Sequence, residues 1–185
     1  MAKVHPNITE QLADWIKQQA MFFIASAPLE QESHVNLSPR GLDSFQVLNE
    51  NEVIILDLTG SGNETAAHLA QNERLTVMFC AFEGAPQILR LFGKGQVIRP
   101  GDDKWNEYRQ HFADELPGVR QIFHQQVARV QTSCGFGVPL MQLEGQRDLL
   151  PRWASNRGED GLQKYQQDKN AISIDGLPAP GITPE

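Results

Sequence analysis

The sequence predicts a mainly β fold, an antiparallel β-barrel with helices at its periphery. Six segments have the alternation or the β-branched composition of strands. Only one short helix is expected between the third and fourth strands, and the connections are shorter than the dozen or so residues that a parallel crossover needs. Gly93 and Gly95 interrupt the fifth strand, as glycines do where a strand bends at a barrel corner.

The first half of the chain is expected to form a helix, three strands and a second helix. The first helix covers residues 7–19, where Asn7 and Glu10 have the spacing of a capping box. The strands are a short apolar run, an alternating segment and a β-branched run, at 21–25, 34–38 and 52–58. A glycine-containing loop then leads into a short helix over 64–71, which Asn63 is expected to cap.

The second half is expected to add three strands and two helices. The strands cover 75–82, 87–99 and 121–133. Asp102 should cap a short helix whose aromatic face, with Trp105, Tyr108 and Phe112, is expected to pack against a second copy of the chain. Residues 142–170 have a polar helical pattern, and the prolines of 176–185 predict an irregular end.

Composition excludes several classes of protein. With 16 Lys and Arg against 23 Asp and Glu, the net charge of -7 argues against binding to nucleic acid or to an anionic membrane. No window approaches the ~18 apolar residues of a membrane-spanning helix. Because no secretory signal is recognised, we expect a cytoplasmic protein in which Cys80 and Cys134 are reduced, packed thiols. The histidines lack metal-ligand spacing, and no metal is expected.

Residues 59–65, Thr-Gly-Ser-Gly-Asn-Glu-Thr, are the most informative segment. A strand ends, two glycines free the backbone and a helix begins, which directs N–H groups at one point and favours an anion. The Walker A pattern fails for want of its lysine, and the dinucleotide pattern has Thr65 in place of its third glycine. Two interpretations stay open. One is a phosphomonoester, such as that of FMN, on Gly62, Asn63 and Thr65, which Glu64 opposes; the other is a capped turn without ligand.

Two further groups of polar residues are candidates for binding. His34, Asn36 and Ser38 share one face of their predicted strand, with Arg40 just beyond. They form either the lining of a ligand cleft or an ordinary solvent-exposed face. Arg90 lies in an apolar strand, where its charge needs either a structural ion pair or an anionic ligand.

Several segments share the pattern of one known family, at 34–41, 53–59 with the glycine turn, 66–82 and 88–95. They resemble the pyridoxamine 5′-phosphate oxidase-like family, the FMN-binding split barrels. Segments 133–139 and 173–178 resemble an uncharacterised bacterial branch of that family. The resemblance implies a six-stranded antiparallel split β-barrel over residues 1–140, including the N-terminal helix. Residues 141–185 would be a helical extension and proline-rich tail of the same domain.

The resemblance also implies a function. FMN would lie between the two subunits of a homodimer and support oxidoreductase chemistry on a small substrate. The residues implied to bind it are Asn36, Ser38, Arg40, Thr59, Ser61, Asn63, Glu64, Thr65 and Arg90. Members with oxidase activity carry Ser-Arg-Lys at the positions of Asn63, Glu64 and Thr65, and no catalytic acid or base is implied here. The alternatives are a non-enzymatic flavin or haem binder and a barrel that has lost its cofactor.

Overall fold

The computed structural model describes residues 2–184, and a single antiparallel sheet of eight strands dominates it. The strands are β1 Lys3–His5, β2 Phe22–Ser26, β3 Asn36–Arg40, β4 Phe45–Asn49, β5 Glu52–Leu58, β6 Arg74–Cys80, β7 Ile88–Ile98 and β8 Val119–Ser133. The helices are α1 Glu10–Lys17, α2 Glu64–Asn72, α3 Trp105–Arg109 and α4 Leu149–Lys169. The mainly β, antiparallel fold with peripheral helices is therefore confirmed.

The strands follow the order β3-β2-β6-β7-β8-β5-β4, and β1 pairs with the far end of β8. The long β7–β8 ladder shifts register between Phe92 and Gly93. A Cβ at Gly93 would overlap the carbonyl of Gln126, so only glycine lets the two strands approach this closely. The irregularity thus falls where the glycine pair predicts one.

The structure adds two strands to the six that the sequence predicts. β1 is three residues long, too short for a period to be recognised. β4 forms a hairpin with β5 around a turn at 50–51. β3 covers Asn36–Arg40 rather than 34–38. It can continue through Pro39 because it is an edge strand, where a missing N–H removes no bond from the ladder.

The two N-terminal helices begin differently from the predictions. α1 is capped by Thr9, whose Oγ1 accepts from the Leu12 N–H at 3.3 Å. Asn7 was the wrong cap, because its side chain donates to Glu50 Oε2 at 2.6 Å instead. Asn63 does stand at the start of α2, yet its side chain makes no capping hydrogen bond.

The two later helices also differ at their starts. Lys104, not Asp102, precedes α3, and Asp102 Oδ2 accepts from the Arg99 N–H at 2.8 Å. α4 begins at Leu149, later than predicted, and is interrupted at Gly158, whose φ of 66° is left-handed. None of the helices between residues 2 and 184 has both the length and the hydropathy that a membrane crossing requires.

Two apolar clusters lie on opposite faces of β5. The first includes Val53 and Ile55 together with residues of β2, β6 and β7. The second includes Ile54 and Leu56 and also takes in Tyr108 and Phe112 of α3. The aromatic face of α3 is therefore covered by its own chain, and the expectation that it meets a second copy is wrong. β5 is buried on both sides, so a polar side chain on this strand is removed from water and needs a partner within the protein.

The C-terminal residues pack on the same sheet. Ala179 belongs to the first cluster and Leu177 packs against it, and Leu150 packs against the second. The division of the chain at residue 140 stays a prediction.

Candidate functional site

A cavity of about 530 Å³ lies where β3, β5 and the start of α2 meet, and we call it the main cavity. Its volume is in the range of small-molecule sites. Its polar lining consists of Asn36, Ser38, Arg40, Ser44, Ser61, Asn63, Glu64, Thr65 and Arg120. Its apolar lining includes Leu42, Leu56, Leu58, Phe123, Leu150 and Ile174. Seven of the nine predicted binding residues thus line one cavity, and Thr59 and Arg90 do not.

The alternation of β3 explains how its polar residues reach the cavity. Asn36, Ser38 and Arg40 are half-buried and line it, whereas Val35 and Leu37 on the opposite face are 71% and 61% exposed. The polar face of the strand turns inward because the neighbouring space is lined by polar groups of α2 and β5. Asn36 and Ser38 therefore line a cavity and do not form an ordinary solvent-exposed face, and the binding of a ligand by them stays a prediction.

Hydrogen bonds fix this wall to α2. Asn36 Nδ2 donates to Thr65 Oγ1 at 3.0 Å, and Ser38 Oγ donates to Asn36 Oδ1 at 3.1 Å. Behind them, Ser26 Oγ lies 3.0 Å from Nδ1 of the buried His68. The polar side chains of the wall are therefore held in place before any ligand arrives.

A buried carboxylate positions Arg40. Arg40 Nη1 donates to Asp57 Oδ1, while Arg120 donates to Oδ2 through Nε at 2.9 Å and Nη2 at 2.8 Å. Gln121 Nε2 adds a fourth bond at 2.8 Å. Burial raises the pKa of Asp57, but Arg120 and Arg40 outweigh it and hold the pKa below its usual range. Asp57 is therefore ionised and forms ion pairs with both guanidinium groups.

Arg40 keeps donors for a ligand. Only its Nη1 is bonded to Asp57, and its Nε and Nη2 donate to no residue between 2 and 184. All three nitrogens of Arg120 are used, since Nη1 donates to the Gly62 carbonyl at 3.1 Å. Arg40 is thus the cation of the cavity wall that can bind an anion.

Sequence reasoning missed Asp57, Arg120 and Gln121. The available signal was Asp57 itself, the one charge inside an apolar, β-branched run. A charge in a strand that is buried on both faces requires a partner of opposite sign. The identity of that partner depends on the β5–β8 register, in which Asp57 is opposite Gln121.

The start of α2 offers N–H groups but little positive charge. Asn63 Oδ1 accepts from Gln121 Nε2 at 2.7 Å, and its Nδ2 donates to the Asn170 carbonyl at 3.2 Å. Within the described chain, the N–H groups of Glu64, Thr65 and Ala66 have no protein acceptor. These donors can serve an anion, although the Glu64 carboxylate stands beside them.

A turn of the C-terminal segment contacts the residue that opens α2 and a residue just before β3. Glu64 Oε2 accepts from the Ile174 N–H at 3.0 Å. Asp175 accepts from the His34 N–H at 2.8 Å and from its Nδ1 at 2.7 Å. The bond from the His34 side chain lowers the pKa of Asp175 below its usual range. His34 therefore binds the C-terminal segment instead of lining the cavity with Asn36.

Thr59 is buried beside the cavity and has a structural partner. Its Oγ1 accepts from Gln166 Nε2 of α4 at 2.8 Å, and its N–H donates to the Gly118 carbonyl at 2.7 Å. It thus joins α4 and the start of β8 to the end of β5.

Arg90 lies on the other face of the sheet. Its neighbour Leu91 is paired with Val77, Val77 with Ile24, and Ile24 with Ser38, so these four side chains share the inner face. Arg90 directly precedes Leu91 in the strand, so its side chain points to the opposite face, away from the cavity. Its Nη1 donates to Ser133 Oγ at 3.3 Å, and no carboxylate within residues 2–184 pairs with it.

The cysteines lie outside the main cavity and are not bonded to each other. Cys80 is buried, and burial raises the pKa of its thiol. Cys134 is exposed, so the prediction that it is packed is wrong. Across residues 2–184, no three His, Cys, Asp or Glu side chains lie together in a way that could hold a metal ion.

Known proteins resemble this chain in sequence. The family profile described as pyridoxamine 5′-phosphate oxidase matches residues 8–134. The pyridoxamine 5′-phosphate oxidase family protein ustO of Aspergillus flavus is 40% identical over 192 residues, which cover 94% of this chain and 76% of the relative. This relative is fungal, and the bacterial branch stays a prediction.

Solved structures share the fold. The H111A variant of HupZ from Group A Streptococcus has a TM-score of 0.54 at 16% identity, and the match covers 68% of this chain and 99% of that one. A candidate pyridoxamine 5′-phosphate oxidase from Lactobacillus delbrueckii has a TM-score of 0.52 at 12% identity, over 68% of this chain and 94% of its own. The matched residues 8–134 contain β2 to β8 and most of the cavity lining. By this match and by its 40% identity to a curated member, the chain belongs to the pyridoxamine 5′-phosphate oxidase family.

Proposed function

We propose that this chain is a cytoplasmic, homodimeric FMN-binding protein that acts as an oxidoreductase on a small substrate. The observation that carries the proposal is the main cavity, where Arg40 is fixed by Asp57 and still keeps two donor nitrogens. When bound, FMN would accept and return electrons, and the protein would bind and orient the reactants.

The residues present fit a flavin phosphate in part. Arg40 and the free N–H groups of α2 supply donors for phosphate oxygens. The apolar lining, with Leu42, Leu56 and Phe123, supplies surface for a ring system. The polar and apolar parts of the cavity thus match the two ends of the cofactor.

The charge of the cavity indicates modest affinity. Arg40 and Arg120 carry two positive charges, and Asp57 and Glu64 carry two negative ones, so the wall has no net charge to attract a phosphate. Glu64 also stands at the α2 N-terminus, where a second anion is unfavourable. We therefore expect FMN to bind more weakly than it would to a site with uncompensated cations.

The sheet supports the homodimer. Its outer face exposes apolar side chains of neighbouring strands, namely Phe23, Leu37, Pro39, Met78 and Phe92. A contiguous apolar face of this kind marks a surface that another molecule covers. Arg90 lies on the same face, so the cofactor role proposed for it requires the second subunit.

The haem alternative has no support in the cavity. None of the described residues that line it is a His, Cys, Met or Tyr, the usual axial ligands of haem iron. A flavin binder without turnover stays open, because no acid or base has been assigned a role.

An absorption spectrum and a titration test the proposal. We expect flavin bands in the purified protein or after addition of FMN, together with oxidation or reduction of the bound flavin by a small substrate. Absence of FMN binding to the folded protein would contradict the proposal. If FMN binds but no small substrate oxidises or reduces it, the protein is a flavin carrier and not an oxidoreductase.

The position of the phosphate can be tested separately with Glu64→Gln. The substitution keeps an acceptor for the Ile174 N–H and removes one charge at the α2 N-terminus, which is worth about 0.3–1 kcal/mol. FMN should then bind about twofold to fivefold more tightly, and riboflavin, which lacks the phosphate, should be unchanged. Glu115→Gln, at an exposed site outside the cavity lining, is the control. Equal effects on both ligands would place the phosphate elsewhere.

A further inference from the structure

Residues 171–179 form a small self-contained unit, which we call the C-terminal hairpin. The Ala179 N–H donates to the Ala171 carbonyl at 2.8 Å, and the Ser173 N–H donates to the Leu177 carbonyl at 2.8 Å. The Leu177 N–H donates back to Ser173 Oγ at 3.0 Å, and Gly176 turns the chain with a φ of 80°. The hairpin can therefore keep its shape without help from the barrel.

The base of the hairpin is anchored. Ala171 and Ala179 are buried, and Ala179 belongs to the first apolar cluster. Asn170, directly before the hairpin, is fully buried, and its Nδ2 donates to the Gly60 carbonyl at 3.0 Å. Movement of the base would disturb the glycine turn and the core together.

The tip of the hairpin is held differently. Ile174 lines the main cavity but is 73% exposed, so its contact buries little apolar surface. Three hydrogen bonds fix the tip, two from His34 to Asp175 and one from the Ile174 N–H to Glu64. Their loss would release the tip without exposing core residues.

The two carboxylate contacts attach the tip to two different elements that line the main cavity. His34 precedes β3, which carries Asn36 and Ser38, and Glu64 opens α2, which carries Thr65. A closed tip is thus bonded both to the segment before the strand and to the start of the helix, and it places Ile174 in the cavity lining. Segments with an anchored base and a few polar contacts at the tip are those that open locally in a folded protein.

We propose that the C-terminal hairpin is a lid of the main cavity, latched by Asp175 on His34 and by Glu64 on the Ile174 N–H, and that ligands pass when its tip opens. Only the identity of the ligand as a flavin rests on the proposed function. The lid itself follows from the hairpin contacts and can be tested on the protein without ligand.

Amide hydrogen exchange of the full chain tests the latch. In Asp175→Ala, the His34 amide loses its acceptor, and the Ile174 amide loses the protection of a closed tip although Glu64 is still present. Both amides should therefore exchange about tenfold faster or more. The Ala179 amide at the base should keep its wild-type rate. Asp103→Ala removes an exposed carboxylate elsewhere and should leave all three amides unchanged. Unchanged exchange at His34 and Ile174, or faster exchange at Ala179 as well, would overturn the proposal.

Thiol labelling tests access to the cavity without a flavin. A cysteine is placed at Ser38, inside the cavity, in a chain that also carries Cys134→Ser to remove the exposed native thiol. Adding Asp175→Ala should raise the labelling rate at position 38 about tenfold. A cysteine at the exposed Ser61, on the rim, should be labelled at the same rate with and without Asp175→Ala. Equal rates at position 38 would show that the hairpin does not control access, whether or not FMN binds.

Discussion

Asp57 is a buried carboxylate near the end of β5, a strand that is covered on both faces. It tolerates this position because it accepts bonds from Arg40, Arg120 and Gln121. The arrangement links the stability of the core to the site, since the carboxylate that neutralises Arg120 through Oδ2 also holds Arg40 against the cavity through Oδ1. A change at Asp57 should therefore affect both.

Asp57→Asn should lower the free energy of unfolding by about 3–5 kcal/mol, because the buried Arg120 and the half-buried Arg40 lose the one carboxylate that pairs with them within residues 2–184. Urea denaturation monitored by tryptophan fluorescence measures it. Asp14→Asn removes an exposed carboxylate that pairs with Lys17 on α1 and should change the same quantity by less than about 1 kcal/mol. A loss below about 1 kcal/mol in Asp57→Asn would mean that the cluster is not a buried ion pair in solution.

His68 is a second buried ionisable group. Its Nδ1 lies near Ser26 Oγ, and its Nε2 has no partner within residues 2–184. Burial lowers the pKa of His68, and the nearby charges of Glu64, Asp175 and Glu30 oppose the effect only in part. The folded protein therefore holds this imidazole neutral at a pH where the unfolded chain already binds a proton.

The sign of the pH dependence follows from this difference. Since the folded pKa is below the unfolded value of about 6.5, the contribution of His68 to stability is complete above that pH. It is lost as the pH falls towards the folded pKa, by at most about 1.4 kcal/mol per pH unit. In His68→Gln the free energy of unfolding should fall less between pH 7 and pH 5 than in the wild type. The exposed His111→Gln is the control and should keep the wild-type slope; a wild-type slope in His68→Gln would contradict the assignment.

At the scale of elements, local patterns predicted the interior of the sheet and failed at its edges. β5 was expected at 52–58 and is found at Glu52–Leu58, because its β-branched run suits a central strand wherever it packs. β3 moved by two residues, since only its edge position makes Pro39 acceptable. The start of α1 depends on Glu50, a distant residue that takes Asn7 away from the helix.

The site, like the fold, could be predicted where local sequence patterns contain the information and not where distant residues meet. The alternation of β3 and the glycine turn, together with the family resemblance, identified most of the cavity lining. The face on which Arg90 lies depends on three successive strand registers, which no local pattern contains. The contacts of His34 and Glu64 with the C-terminal hairpin join residues 141 and 110 positions apart in the sequence, which local spacing cannot reveal.

For the whole molecule, the question is what covers the outer face of the sheet. Phe23, Leu37, Met78 and Phe92 lie side by side on adjacent strands there. Tyr108 and Phe112, the aromatic residues first expected to meet a second copy, are buried in their own chain. The interface of the proposed homodimer is therefore assigned to the sheet, centred on β2 and β6 and reaching β3 at the edge.

Sedimentation at micromolar concentration should report about 41 kDa for the wild type, twice the chain mass of 20.7 kDa. Leu37→Asp should shift the protein towards the monomer, because it places a charge in the apolar interface. Its fold should persist, since Leu37 is 61% exposed in the single chain. Leu29→Asp is the matched control: Leu29 is 63% exposed but precedes β3 and lies off the sheet, so this variant should stay dimeric. A monomeric wild type would refute the homodimer. A Leu37→Asp protein that remains dimeric would show that the interface is not on this face. Arg90, which lies on the same face, would then have no reason to be assigned to the cofactor site.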